Sequence, residues 1–295
     1  MKDYNPPTTL PAEGWAPEVK GFIFIILAMA VFGFYGIFVR FLNLSSQLIL
    51  FFNALFVAII LFLAFLRQSE RFNVRQYKLI IPFLGMAFVA NNFFYFKAFQ
   101  LTTIANAILT HYTAPIFVAI LAPLLLREKL EKVTLISLII SFLGLCLIAS
   151  EGLSLSPANF SGILFGTASG LAYAFSIIIY KYLLKNLSVY TLIFYQSLLG
   201  VAILTPFVIP QISISLPFLW LITFALIFGI FATFLHFQGI KRIKAQQAGI
   251  LGYSEPVFGI SYAFLFFSEV PTVMSLIGGA FIVLGGYLTF RTLRE

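Results

Sequence analysis

The chain has 295 residues, of which 61% are hydrophobic and only 9% charged, with a formal net charge of +8. A soluble domain is nearer a quarter charged, so this composition cannot clothe a globule in polar surface; its apolar residues fall in blocks of about twenty, the length that crosses a bilayer. A soluble fold is excluded, and with no block alternating polar and apolar residues the spanning elements must be helices.

Ten blocks are predicted to span: residues 21–41, 47–66, 79–99, 104–126, 133–150, 162–183, 189–209, 216–238, 245–267 and 272–290. A polar tail over residues 1–19 precedes them and is too long for the lead of a simple cleaved signal, so the first helix is expected to be retained. The connections are too short to hold a soluble domain. The expected fold is an all-α polytopic membrane protein of ten transmembrane helices. Cys146 lies inside the fifth block and has no second cysteine to pair with.

The basic residues give the orientation. With the N-terminus cytoplasmic, the inner side receives Lys2, Lys20, Arg67, Arg71, Arg75, Lys78, Arg127, Lys129, Lys132, Lys181, Lys185, Lys241, Arg242, Lys244, Arg291 and Arg294, leaving only Arg40 and Lys97 elsewhere. Positive charge collects on cytoplasmic loops, so both termini are expected in the cytoplasm and the chain in the inner or plasma membrane. The same distribution, in short turns instead of one basic face, argues against nucleic acid as a partner.

A shift of 141 residues sets Phe96 on Phe237, Ala107 on Ala248, Tyr112 on Tyr253, Pro115 on Pro256, Phe117 on Phe258 and Glu128 on Glu269. It also sets Gly21 on Gly162 and Arg40 on Lys181. The chain therefore divides into two five-helix repeats, residues 20–150 and 160–291, forming one structural unit. Five is odd, so the second copy enters the membrane from the opposite side. Inverted repeats of this kind let a central site open to either side in turn, as secondary transporters require.

The segment Tyr253-Ser254-Glu255-Pro256-Val257-Phe258, with Glu269 beyond it, and the first copy Tyr112-Thr113-Ala114-Pro115-Ile116-Phe117 with Glu128, resemble the paired signature of the EamA family of the drug/metabolite transporter superfamily. The resemblance implies a ten-helix secondary transporter with cytoplasmic termini, moving small metabolites, amino acids or related solutes, often outward. Ala114 stands where the second copy has Glu255.

Of the ten acidic residues, nine read as tail, loop, terminus or span end, and Glu255 alone lies deep in a span. It is about 15 Å from the start of its block at 1.5 Å per residue, close to the midplane, where an unpaired charge costs several kcal/mol. Ala248, Gly252 and Gly259 share its face, which suits either close packing or a cavity wall binding an amine or a proton. His111 holds the position of Gly252 in the first copy, and a titratable His111–Glu255 pair across the pseudo-twofold is one reading; a local hydrogen bond of His111 is the other.

Further polar candidates are Asn91, Asn92 and Tyr95 in the third span, Asn106 and Thr110 in the fourth, His236 in the eighth, Gln247 and Tyr253 in the ninth, and Tyr35 and Tyr173 in the first and sixth. Each can be an interhelical bond or a ligand contact. Together they suit a small polar or zwitterionic solute with an apolar part. Lys97 is expected to snorkel to the outer headgroups, and the small-residue steps Gly162, Gly166, Gly170 and Gly278, Gly285 to pack helices. The partners expected are a small-molecule substrate and the bilayer, with a coupling proton or exchanged solute. No phosphate loop, metal-ligand spacing or nucleophile turn is visible, so no cofactor is expected; an intramembrane enzyme and a passive channel are the alternatives.

Overall fold

A computed structural model describes residues 16–42, 44–66, 74–208 and 217–293, with the side chains of Arg40 and Arg75 excepted. Most of the polar tail, together with Lys2, Arg67, Arg71 and Arg294 from the charge count, lies outside the described residues. Among the described residues ten helical spans are long and apolar enough to cross a membrane: Pro17–Val39, Ser46–Leu66, Ile80–Leu101, Ile104–Leu125, Lys132–Gly152, Pro157–Leu183, Val189–Val208, Phe218–Arg242, Ala245–Phe267 and Val273–Arg291. They are called spans 1 to 10. Span 1 begins four residues before the apolar block because Pro17 at the first helical position and Glu18 in the first turn are both favourable at a helix N-terminus.

The spans pack as an inverted pair of repeats. Spans 1 and 8 lie together, as do their equivalents 6 and 3, while 2 with 7, 4 with 9, and 5 with 10 pair with their own counterparts. Glycines set these distances. A Cβ on Gly21 would fall 2.6 Å from Ile243 Cγ2, and one on its equivalent Gly162 would fall 2.5 Å from Thr102 Cβ, the residue equivalent to Ile243. In spans 5 and 10, a Cβ on Gly144 would meet the Gly278 carbonyl at 2.5 Å, and one on Gly278 the Gly144 carbonyl at 2.4 Å. The small-residue steps therefore are helix-packing surfaces, Gly166 and Gly170 seating Thr110 and the His111 carbonyl in the same way.

The repeat also governs how spans end. Spans 4 and 9 both close on a residue of positive φ, Arg127 at 59° and Ser268 at 56°, followed by Glu128 and Glu269, whose N–H groups donate to the Ala122 and Ala263 carbonyls. These are equivalent left-handed caps built without glycine.

Three spans are not the uniform helices their apolar blocks suggest. Span 1 turns at Phe34, between helices Pro17–Gly33 and Tyr35–Leu42; span 4 breaks between Ile104–His111 and Ala114–Leu125; and span 9 breaks between Ala245–Gly252 and Ser254–Phe267. Span 8 stays helical but widens to a π-helix over Ala225–Ala232, with the Thr233 hydroxyl donating to the Phe228 carbonyl at 2.9 Å. Gly229 in this segment leaves room for Asn53 of span 2, whose Oδ1 would lie 2.4 Å from an added Cβ.

Candidate functional site

The breaks in spans 4 and 9 follow from Pro115 and Pro256. A proline has no N–H for the carbonyl four residues back and its ring crowds that carbonyl, so the ladder cannot continue through His111 or Gly252. In span 4 the Ile116 and Phe117 N–H groups both turn to the Thr113 carbonyl, at 2.9 and 3.2 Å, and the Thr113 hydroxyl caps the Thr110 carbonyl at 2.6 Å. In span 9 the equivalent Ser254 hydroxyl caps the Leu251 carbonyl, also at 2.6 Å. The Tyr112 carbonyl, released from the ladder, accepts the Tyr253 hydroxyl at 3.0 Å.

Around these breaks lie two chambers. The larger, about 730 Å³, runs from the middle of the bundle to residues near the ends of spans 1 to 4 and 9 on the face opposite the N-terminus: Val39, Ser46, Phe99, Ile104 and Phe267. The smaller, about 90 Å³, lies on the N-terminal side, against Met29, Pro115, Ile177, Ala248, Gly249 and Gly252. Five residues line both chambers and form the partition between them: Tyr95, His111, Tyr112, Tyr173 and Glu255.

Ring stacking and hydrogen bonds tie the partition together. The His111 ring stacks on Tyr95 at 4.1 Å and on Tyr173 at 5.5 Å between centroids. Its Nδ1 lies 2.6 Å from Ser169 Oγ, and the Ser169 hydroxyl donates to Asn91 Oδ1 at 3.1 Å. With the serine proton committed to Asn91, Nδ1 is the donor in that pair and Nε2 is left as an acceptor in the neutral ring. The Glu255 carboxylate lies within electrostatic range of the phenols of Tyr35, Tyr95, Tyr112 and Tyr173.

Eight of the twelve candidate residues line the larger chamber: Tyr35, Asn91, Asn92, Tyr95, His111, Tyr173, His236 and Glu255. The other four line neither chamber, each committed elsewhere. Asn106 ties the start of span 4 to Thr102 Oγ1 just before it and to the Ser154 backbone in the connection between spans 5 and 6, at 2.6 to 3.1 Å. Thr110 bonds back to the Asn106 carbonyl at 2.6 Å, Gln247 caps span 9 at the Lys244 N–H and reaches Thr292, and Tyr253 holds Tyr112. A direct His111–Glu255 pair is not formed either: no hydrogen bond or ion pair joins them among the described residues, and the His111 Nδ1 is engaged by Ser169. Lys97 lines neither chamber.

Other cavity residues are not marked as such by the sequence. Tyr112 was visible as the equivalent of Tyr253, but its orientation towards Glu255 depends on the break after it. Asn53, Gln196, Ser197 and Thr233 form a second polar group on spans 2, 7 and 8. Isolated in apolar blocks, they carry no pattern that separates them from ordinary interhelical polar residues.

On the N-terminal face the bundle is latched. Lys181 Nζ donates to the Ile240, Lys241 and Ile243 carbonyls at the end of span 8, the first at 2.9 Å. The Ala245 N–H, opening span 9, donates to Glu128 Oε2 at 2.8 Å, and Lys244 pairs with Glu131. Burial pushes the Glu128 carboxyl above the usual carboxylate range, opposed by the Ala245 N–H and by Lys181, Lys244 and Lys185. The two faces differ: Ala245 is fully buried, while its repeat equivalent Ile104 is 68% exposed and lines the larger chamber.

Comparison with known proteins agrees with this architecture. The EamA-like transporter family model matches twice, over residues 19–150 and 160–291. A protein of Archaeoglobus fulgidus named as an uncharacterized transporter is 33% identical over 197 residues, 67% of this chain and 71% of that protein. The uncharacterized transporter YxxF of Bacillus subtilis is 29% identical over 90% of this chain and 88% of its own length. A solved crystal structure superposes with a TM-score of 0.81 at 17% identity, covering 94% of this chain and 97% of the other, a likeness of fold.

Proposed function

The chain belongs to the EamA-like transporter family and is a multi-pass membrane transporter, and we propose that it is a secondary active carrier working by alternating access. Its solute is a small polar or zwitterionic metabolite bearing an amino group, an amino acid or a related amine, and its direction is export. Both termini face the cytoplasm in this reading, which the charge count supports, and this makes the latched face the inner one and the face reached by the larger chamber the outer one. Residues 20–150 and 160–291 act as the two exchanging halves.

The observation that carries this reading is the partition: a chamber on each side of one set of side chains, drawn from spans 3, 4, 6 and 9 of both repeats, with one face latched. Exchange of the two repeats' conformations would release the Lys181 and Glu128 contacts and close the opposite face. Glu255, Tyr95, His111, Asn91, Asn92, Tyr35, Tyr173 and His236 are the contacts assigned to the solute or to a coupling proton. Tyr253, Asn106, Thr110 and Gln247, candidates by sequence, act in this reading by holding the helices that carry them.

Counterflow in proteoliposomes tests the mechanism. A carrier gives saturable uptake of labelled solute that is accelerated by unlabelled solute inside. Non-saturating conductance would indicate a channel, and chemical conversion of the solute an enzyme; either would replace the proposal.

A further inference from the structure

The partition offers one carboxylate ringed by phenols, with no cationic side chain among the described residues lining the chambers on either side. Glu255 contributes carboxylate oxygens, His111 in its neutral form an Nε2 acceptor, and the surrounding phenols of Tyr35, Tyr95, Tyr112 and Tyr173, each also a donor, add lone pairs and aromatic faces. An ammonium group has three N–H donors and no acceptor, and aromatic faces attract it through the ring quadrupole. Such a group complements this set in charge, whereas a carboxylate would bring a second negative charge beside Glu255 with no cationic side chain among the described residues to offset it.

The described surroundings supply no full positive charge for a second, negative pole. Among the described residues no lysine or arginine lines either chamber, and Glu255 is the one carboxylate that does. Half-helix N-termini in broken spans can hold anions, but the one nearest, at the start of Ala114–Leu125, has no donors to spare. Pro115 has no N–H, those of Ile116 and Phe117 are both given to the Thr113 carbonyl, and Ala114 is 1% exposed. The equivalent N-terminus in span 9 already carries Glu255 in its first turn.

Chamber size fixes the orientation. About 90 Å³ on the inner side suits a small head group such as an ammonium. About 730 Å³ on the other side, lined by Phe88, Phe96, Phe99 and Phe228, accepts a metabolite-sized apolar body.

We infer that the partition is an ammonium site, selecting an organic amine that lacks a carboxylate over zwitterions and anions, with the amine at Glu255 and the apolar portion in the aromatic chamber. This rests on the proposed role of the central cavity as the solute site. It narrows the amino-bearing class to monocations.

Equilibrium binding separates this inference from the transport mechanism, since it requires no flux. Isothermal titration calorimetry on the full-length protein in detergent would compare four probes: β-phenylethylamine, L-phenylalanine, 3-phenylpropionate and N-acetyl-β-phenylethylamine. The amine is expected to bind at least about tenfold more tightly than each of the others, and Glu255→Gln to weaken amine binding by about thirtyfold or more, the loss expected when one partner of a desolvated charge pair is removed. Binding of the zwitterion, the acid or the acetylated amine as tightly as the amine would overturn the inference, as would unchanged amine binding by Glu255→Gln. Should that variant not fold, the ranking of the four probes on the unaltered protein decides alone. A protein that binds the amine but fails in counterflow would keep this site and lose the carrier mechanism; one that shows counterflow of a zwitterion without amine preference would do the reverse.

Discussion

The Tyr253 hydroxyl donates a 3.0 Å hydrogen bond to the Tyr112 carbonyl, joining two residues at the same position in the two repeats. The carbonyl is available only because Pro115 diverts the ladder of span 4, and Tyr253 itself stands at the matching break in span 9. One repeat's broken helix thus completes the other's hydrogen bonding at the centre of the bundle. The bond lies beside the partition that holds Glu255, so stability and site geometry meet there.

Tyr253→Phe keeps the ring and removes only this donor. Leaving the buried carbonyl unsatisfied is expected to cost about 1–3 kcal/mol, read as a lower midpoint of thermal unfolding in detergent. An unchanged midpoint would show that the Tyr112 carbonyl finds another partner.

Glu255→Gln should separate stability from function. Neutralising a carboxylate buried in an apolar bundle is expected to leave the unfolding midpoint unchanged or raised, while saturable counterflow falls at least about tenfold. Unchanged flux with unchanged pH dependence would remove Glu255 from the mechanism.

The latch on the N-terminal face can be opened selectively. Lys181→Met removes donors to three carbonyls, and hydrogen bonds from a charged group contribute about 1.5–3 kcal/mol each. Gly252→Cys, placed in a Cys146→Ala background, reports on the smaller chamber, because Gly252 lines it and a Cβ there meets nothing within 4 Å. Labelling by an impermeant maleimide from the N-terminal side is expected to quicken about tenfold with Lys181→Met. Equal rates would mean that other contacts keep this face shut.

Glycines of one type should behave in two ways. Gly278→Ala forces a Cβ to 2.4 Å from the Gly144 carbonyl, a backbone atom that cannot step aside, and is expected to destabilise by about 1–3 kcal/mol. Gly252→Ala fills open chamber space, leaving the unfolding midpoint near that of the parent while narrowing the route past Glu255, so its effect should appear in counterflow.

Glu128 supplies a pH signature outside the spans. Burial favours its protonated form in the folded state, so the ionised carboxylate lowers stability at neutral pH and this cost disappears as the pH falls through the raised value towards the ordinary 4.5. Against Glu128→Gln, which does not ionise, the parent should gain midpoint on acidification from neutral. A difference that stays flat, or moves the other way, would show the carboxylate to be held mainly by its lysines.

The ten spans, their all-helical character and the repeat register were all legible in the sequence. Bilayer thickness makes a twenty-residue apolar block a helix whatever surrounds it, and proline, tyrosine and glutamate recurring 141 residues apart are not produced by apolar composition alone. Scarcity of charge likewise singled out Glu255. Tertiary structure decided which polar side chains face the cavity. Asn91 and Asn106 look alike as amides in apolar blocks, yet Asn91 anchors the Ser169–His111 chain at the chamber wall while Asn106 is spent on Thr102 and Ser154. Periodicity places a residue on a helix face; what that face meets depends on helix rotation, on the breaks before Pro115 and Pro256, and on the π-helix in span 8, each set by packing between residues far apart in the chain.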